Sequence, residues 1–84
     1  DYISAYFDYE DKEYEIMVRG EESEFQIEVL EDGDEMKPDP FYKPLKNYKN
    51  MVKGLEKWIK KHTKGKFDIK GFPKETELEK MVSQ

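Results

Sequence analysis

Three consecutive segments of the chain alternate apolar and polar residues, and this alternation restricts the fold more than any other feature. Residues 2–9, 13–19 and 24–30 are rich in aromatic and β-branched side chains and repeat with a period of two. Such a pattern is typical of half-buried β-strands. The separators, residues 10–12 and 20–23, are short and polar, and connections of that length join antiparallel neighbours. The sequence therefore predicts a three-stranded antiparallel meander.

Parity along these strands predicts which side chains share a face. We expect Tyr9 to lie opposite Tyr14 and Val18 opposite Phe25, which separates an apolar inner face from an acidic outer face. A slip of one residue would bury acidic side chains, so the assignment of faces is strongly specified. The predicted inner face comprises Ile3, Ala5, Phe7, Tyr9, Tyr14, Ile16, Val18, Phe25, Ile27 and Val29. The predicted outer face comprises Tyr2, Ser4, Tyr6, Asp8, Glu13, Glu15, Met17, Arg19, Glu24, Gln26, Glu28 and Leu30.

Residues 45–62 carry the clearest helical period. Apolar side chains spaced three and four residues apart form one stripe, and lysines occupy the opposite side. The stripe comprises Leu45, Tyr48, Met51, Val52, Leu55, Trp58, Ile59 and His62. The lysines are Lys46, Lys49, Lys53, Lys57, Lys60, Lys61 and Lys64. Because a bare sheet and a lone helix of this length are both marginal, we expect the stripe to pack on the inner face of the sheet.

The segment between the meander and this helix is predicted to be a loop. Residues 31–44 contain the Asp32-Gly33 turn signal and three prolines, which cannot donate hydrogen bonds to a ladder. Beyond the helix, alternation over residues 66–70 predicts a short fourth strand.

A short C-terminal helix is predicted within residues 66–84, because Thr76 and Glu79 have the spacing of a capping box. Residues 1–84 are expected to form a single small domain. The expected fold is α+β: an antiparallel three- or four-stranded meander with one long amphipathic helix packed on one face and a short C-terminal helix.

The charge of the chain is divided along its length. Residues 1–35 hold fourteen acids and two bases, a net charge of −12, whereas residues 36–84 hold six acids and thirteen lysines, a net charge of +7. Asymmetry of this kind is typical either of an interaction surface or of two halves that fold onto each other and attract. If the helix packs on the inner face, the acids and the lysines point away from each other on opposite sides of the domain.

Composition excludes several classes of protein. The chain has no cysteine, so disulfides, thiolate zinc sites and cysteine nucleophiles are excluded. No apolar run approaches the roughly 20 residues that span a bilayer, and we expect no membrane contact. The absence of cysteine fits a reducing compartment, so we expect a cytoplasmic location. The chain starts at Asp1 rather than at methionine, which leaves room for a leader upstream.

No arrangement typical of catalysis is found, and we expect no enzyme, no cofactor and no metal site. His62 is the only histidine and lies at the end of the apolar stripe, as a half-buried structural residue does. Ser4, Ser23 and Ser83 lack a matching histidine and carboxylate. The acidic turn at 32–35 lacks the ligand spacing of a calcium loop. No phosphate-binding glycine loop occurs, and no small-molecule substrate is evident.

The preferred function is a small binding or regulatory module that contacts another protein, or a second copy of itself, through the outer face of the sheet. Exposed aromatics among charges are typical of protein interfaces. The residues expected to bind are Tyr2, Tyr6, Glu15, Met17 and Glu28. Two alternatives remain open: inhibition through an acidic sheet that mimics DNA, and nucleic-acid binding through the lysine-lined helix face. The lysines of that second alternative are Lys46, Lys49, Lys53, Lys57, Lys60 and Lys64.

The order of elements carries one topological resemblance. Three strands followed by a helix, with Tyr2, Tyr14 and the helix end at residues 55–59, resemble the antitoxin family that neutralises small RNA-cleaving toxins. The Gly-Cys segment typical of that family after the second strand is absent. The resemblance therefore implies the arrangement of elements only, and no functional residue is carried over.

Overall fold

The computed structural model describes residues 2–21, 24–64, 69 and 71–82. These residues form a five-stranded antiparallel sheet and two helices. The strands are β1 (Ile3–Tyr9), β2 (Lys12–Glu21), β3 (Glu24–Glu31), β4 (Asp34–Glu35) and β5 (Leu45–Lys46). The helices are α1 (Tyr48–Thr63) and α2 (Glu75–Val82). The α+β class, the meander, the long helix and the short C-terminal helix predicted from the sequence are thus confirmed.

The sheet has the order β1-β2-β3-β4, and β5 pairs with the start of β3. The predicted inner face is correct: Ala5, Tyr14, Ile16, Val18 and the alternate apolar residues of β3 are buried. Both helices lie on this face, because Met51, Leu55 and Ile59 of α1 and Leu78 of α2 join the same core cluster.

The predicted register is wrong by two residues in both hairpins. Tyr9 pairs with Lys12, not Tyr14, and Val18 pairs with Ile27, not Phe25. The reason is the length of the turns. Only Glu10 and Asp11 separate the first paired residues, and Glu10 has a φ of 56°, as the first central residue of a two-residue hairpin of type II′ requires. A shift of two preserves parity, so every side chain keeps its predicted face.

The predicted loop over 31–44 is partly structured. Glu31 ends β3, and Asp32-Gly33 forms a two-residue hairpin turn to β4 with φ values of 51° and 86°. Positive φ at both positions is the type I′ geometry that Asp-Gly favours. The segment from Met36 to Pro44 then crosses to β5 along the free side of β3.

Helix α1 begins three residues later than predicted. Leu45 and Lys46 belong to β5 and pair with Phe25 and Glu24. Asn47 then turns the chain with a φ of 54°, and its side chain caps the helix by accepting a hydrogen bond of 2.9 Å from the Asn50 N–H.

Helix α2 is capped differently from the prediction. The Glu77 carboxylate accepts a hydrogen bond from the Lys74 N–H, so the predicted pair of Thr76 and Glu79 is wrong. The predicted strand over 66–70 lies outside the described residues, apart from half-buried Ile69. No helix among the described residues is long and apolar enough to cross a membrane.

Gly54, in the middle of α1, is a position where the sequence is not optimal for stability. A Cβ there would lie 3.6 Å from Leu45 Cδ1 and 3.9 Å from Phe41 Cε1, which is ordinary van der Waals contact. Since glycine costs about 1 kcal/mol relative to alanine inside a helix, we expect Gly54→Ala to raise the free energy of unfolding by about 0.5–1 kcal/mol. Urea denaturation measures it. Gly33→Ala, at a φ of 86°, is the control and is expected to destabilise; a loss of stability in Gly54→Ala would contradict the packing described.

Candidate functional site

The outer face of the sheet is the surface that the helices leave open. Neither α1 nor α2 packs on it, because both belong to the core cluster on the opposite side. Its side chains come from alternate positions of β1, β2 and β3. Tyr2 and Tyr6 are 56% and 53% exposed, which is unusual for large aromatic side chains.

The register places four of the five predicted binding residues in two neighbouring rows across the strands. Met17 pairs with Glu28, and Tyr6 pairs with Glu15. Tyr2 precedes β1, beside the first of these rows. The structure thus brings the five predicted residues onto one surface of the sheet.

Glu15 is held in place by its neighbours on β1. Its Oε2 atom accepts a hydrogen bond of 2.5 Å from Ser4 Oγ and one of 3.5 Å from the Tyr6 hydroxyl. These two hydrogen bonds hold the Glu15 carboxyl in one orientation on the outer face. It also orients Tyr6 on the surface.

A cleft of about 440 Å³ lies where the outer face meets the free side of β3. One wall comes from the outer face and contains Tyr2, Met17 and Glu28, three of the predicted binding residues. The opposite wall comes from β4 and the segment that follows it. The lining residues of that second wall are Glu35, Met36, Asp39, Phe41, Tyr42 and Pro44. Arg19, Gln26, Ile27 and Val29 complete the lining.

The cleft is predominantly acidic. A hydrogen bond with the Glu35 carboxyl, followed by burial and the negative charges of Glu35 and Asp39, raises the pKa of Glu28 above its ordinary value. Arg19 opposes this shift. Two carboxyls this close repel each other when both are ionised, so a cation between them would be stabilised.

The second wall is the part of the site that the sequence did not identify. Phe41 packs its ring edge-to-face on Trp58, with centroids 5.7 Å apart, and so fixes the segment to α1. Tyr42 is 76% exposed and stands on the rim, with Lys43 Nζ 5.6 Å from its ring centroid. The adjacent aromatics in a proline-rich loop were the available signal, but their opposite orientations follow only from the fold.

The lysine face of α1 has the predicted exposure. Lys49, Lys53, Lys57, Lys60, Lys61 and Lys64 are all exposed. Lys46 is also exposed but belongs to β5, not to the helix. Among the described residues, no ion pair joins these lysines to an acid; the Lys12–Glu31 pair, at 3.4 Å, lies elsewhere. The negative and positive surfaces therefore lie on opposite sides of the core, as predicted.

His62 belongs to a hydrogen-bonded group at the end of α1. The Tyr14 hydroxyl donates to Glu31 Oε2 at 2.6 Å and lies 3.0 Å from His62 Nε2. Because the hydroxyl has a single proton, we assign the proton of the second bond to His62 Nε2. The ring also stacks on Trp58 with centroids 5.1 Å apart. These contacts join α1 to the sheet, which is consistent with the predicted structural role.

The acidic turn at 32–35 is engaged within the chain. Asp32 Oδ1 accepts a hydrogen bond of 2.9 Å from the Glu13 N–H, and the Asp32 N–H donates to the Glu13 carbonyl at 2.8 Å. The described residues contain no group of three or more histidine or acidic side chains placed to hold a metal ion.

Comparison of the chain with protein-family models, with curated proteins and with solved structures finds no match. The candidate site is therefore defined by the geometry and charge of this chain.

Proposed function

We propose that this chain is a non-catalytic binding module that holds a basic protein surface against the outer face of its sheet and the adjoining cleft. One observation carries the proposal: Tyr2 and Tyr42, two of the three large hydrophobic side chains exposed in the described residues, stand on the rim of the same acidic cleft. Tyrosines around a concave site are typical anchors of protein interfaces.

The charge of the site indicates the chemistry of the partner. Glu28, Glu35 and Asp39 line the cleft, and the carboxylate of Glu15 lies on the next row of the outer face. Complementary charge steers association and suppresses acidic competitors. Lysine or arginine side chains on the partner would meet these carboxylates, while the tyrosines supply apolar contact area.

Binding of nucleic acid through α1 is the second candidate, because its lysines are exposed and without acidic partners in the described part of the chain. Clustered positive charge suffices for contact with phosphates. Base stacking lacks support on this face. Trp58 is packed against the core, and the Tyr48 hydroxyl donates to the Pro73 carbonyl at 3.0 Å.

An NMR titration of the intact, ¹⁵N-labelled chain with short peptides rich in arginine, lysine and tyrosine tests the proposal. We expect amide shifts on the outer face and at the cleft rim in physiological salt. The Tyr2→Ser/Tyr6→Ser variant should bind about tenfold more weakly without a large change in melting temperature, because both side chains are exposed. Lys53→Ala, on α1, is the control and should bind as the wild type does.

Two outcomes would reject the proposal. One is an outer face that no basic peptide perturbs. The other is a response confined to α1 with DNA or RNA oligonucleotides as probes, lost on adding salt and in the Lys49→Glu/Lys53→Glu variant. That second outcome would transfer the function to the lysine face.

A further inference from the structure

We propose that the cleft receives an arginine side chain from an extended segment of the partner, and that the backbone of this segment hydrogen-bonds to Ile27 of β3. The proposal rests on the proposed function and specifies its partner. Four features carry it: a gap in the ladder beside β3, the direction of the Ile27 backbone groups, the acidic side chains of the cleft and its apolar side chains.

The gap lies between the two short strands that pair with the free side of β3. Strand β4 pairs with Leu30 and Glu31, and β5 pairs with Glu24 and Phe25. Because the Val29 carbonyl also accepts a hydrogen bond from the Met36 N–H, the open stretch runs from Phe25 to Val29, four residues or about 13 Å. A short extended segment of two or three residues fits this opening, whereas a long strand would collide with β4 or β5.

The backbone of Ile27 points into the gap. In an antiparallel ladder, alternate residues direct both their N–H and their C=O groups to the same side. The Val29 carbonyl accepts a hydrogen bond of 3.3 Å from the Met36 N–H, so Val29 faces away from β2, and Ile27 faces the same way. Within the described ranges no bond to the Ile27 N–H or C=O from that side is found.

Ile27 lines the cleft although its side chain belongs to the core cluster on the inner face and the residue is only 5% exposed. This combination is consistent with a backbone directed toward the cleft. An open donor and acceptor on a strand edge are the groups that an added strand pairs with.

The acidic side chains of the cleft lie near these backbone groups. Glu28 follows Ile27 directly and lies on the outer face opposite Met17, where it lines the cleft together with Glu35. Asp39 adds a third negative charge to the lining. The planar guanidinium of arginine presents several donors at fixed angles, so it can bridge two neighbouring carboxylates, whereas lysine offers a single charged point.

The apolar side chains of the cleft suit the methylene stem of the arginine. Met17, Met36 and Phe41 line the cleft around the acids. Methionine adapts its shape to a ligand, and an arginine stem buries its methylene groups along apolar surface while its head stays polar. The cleft, at about 440 Å³, has room for this side chain together with part of its backbone.

The experiment compares two short capped peptides that differ at one position, one with arginine and the other with citrulline, its neutral counterpart. Binding to the intact chain is followed by calorimetry and by the amide resonance of Ile27. We expect the arginine peptide to bind at least about tenfold more tightly, since a desolvated charge pair is lost with citrulline. The chemical shift of the Ile27 amide should change when the peptide binds, because the N–H group gains a hydrogen bond.

Variants separate the cleft from general attraction to an acidic surface. Glu28→Gln/Glu35→Gln should remove the preference for arginine. Asp8→Asn/Glu13→Gln changes the net charge equally at exposed acids outside the cleft lining and should retain the preference within about twofold. Melting temperatures confirm that each variant is folded.

Three results would overturn the inference: equal binding of both peptides, equal weakening by both double variants, or an Ile27 amide that does not move. If basic peptides then still shift Tyr6 and Glu15, the proposed function survives without the cleft. If no residue of the outer face responds, both fail together.

Discussion

Replacement of Leu55 by alanine is expected to lower the free energy of unfolding by about 3 kcal/mol, the largest effect of any single change considered. Leu55 is fully buried and belongs to the cluster that joins α1 to the inner face of the sheet. Removing its branched side chain loses transfer free energy and leaves a cavity, which together cost about 2–5 kcal/mol. A domain of this size has a total stability of about 4–12 kcal/mol, so the loss is a large fraction of it.

Urea denaturation followed by circular dichroism measures this loss. Lys53→Ala, an exposed position on the same helix, is the control and should change the free energy of unfolding by less than about 0.5 kcal/mol. If Leu55→Ala is too unstable to analyse, Leu55→Met preserves volume and is expected to cost less than about 1.5 kcal/mol. A loss below about 1 kcal/mol in Leu55→Ala would show that α1 does not pack as described.

Replacement of Tyr14 by phenylalanine is expected to cost about 1–2 kcal/mol, because both hydrogen bonds of its hydroxyl are lost. The ring stays: it stacks on Phe7 with centroids 4.6 Å apart and planes tilted by only 3°. The variant therefore removes the link among Tyr14, Glu31 and His62 without changing the packing of the core.

The cost of Tyr14→Phe should depend on pH. The hydrogen bond from Tyr14, together with the charge of Lys12, lowers the pKa of Glu31 below its ordinary value. A carboxyl whose pKa is lower in the folded state than in the unfolded state stabilises the fold above its unfolded pKa. That contribution disappears as the pH falls through the folded pKa. We therefore expect the difference between wild type and variant to be largest near neutral pH and to shrink on acidification.

Tyr9→Phe is the matched control for this pair of measurements. Tyr9 lies near the same histidine, with ring centroids 6.2 Å apart, but no hydrogen bond of its hydroxyl is found among the described residues. The decrease in the free energy of unfolding caused by Tyr9→Phe should be small and independent of pH. Equal effects of the two variants would contradict the assignment of the Tyr14 network.

The faces of the sheet could be predicted because a period of two decides them without knowledge of the turns. The register could not, since Lys12 reads as part of a polar connection until the two-residue turn at Glu10 and Asp11 is known. Polar composition does not distinguish a strand end from a turn. Shifting both hairpins by two residues changed every partner and no face.

The start of α1 was misplaced for a related reason. Leu45 continues the apolar stripe of the helix in sequence, but in the structure it pairs with Phe25 at the end of β3. Helical spacing alone cannot reveal this competing pairing, because Phe25 is distant from Leu45 in the chain. The positive φ of Asn47 is the local feature that separates the two elements, and asparagine tolerates it better than most residues.

Half of the candidate site was beyond the reach of sequence patterns. Tyr2, Met17 and Glu28 follow from strand parity, whereas Glu35 and Tyr42 come from a segment with no period. Their position depends on where β4 and β5 pair with β3, which is a property of the whole sheet. Clefts formed between an edge strand and a crossing segment leave no local signal.

The separation of charge across the core has a consequence for any encounter. A net charge of −5 describes the molecule only from afar. At distances within a Debye length, about 8–10 Å in ordinary salt, an approaching molecule experiences one side alone. The protein thus behaves as a small electric dipole: a cationic molecule is attracted to its carboxylates, and an anionic molecule is attracted to its ammonium groups. Molecules of opposite charge would therefore approach different sides of the protein.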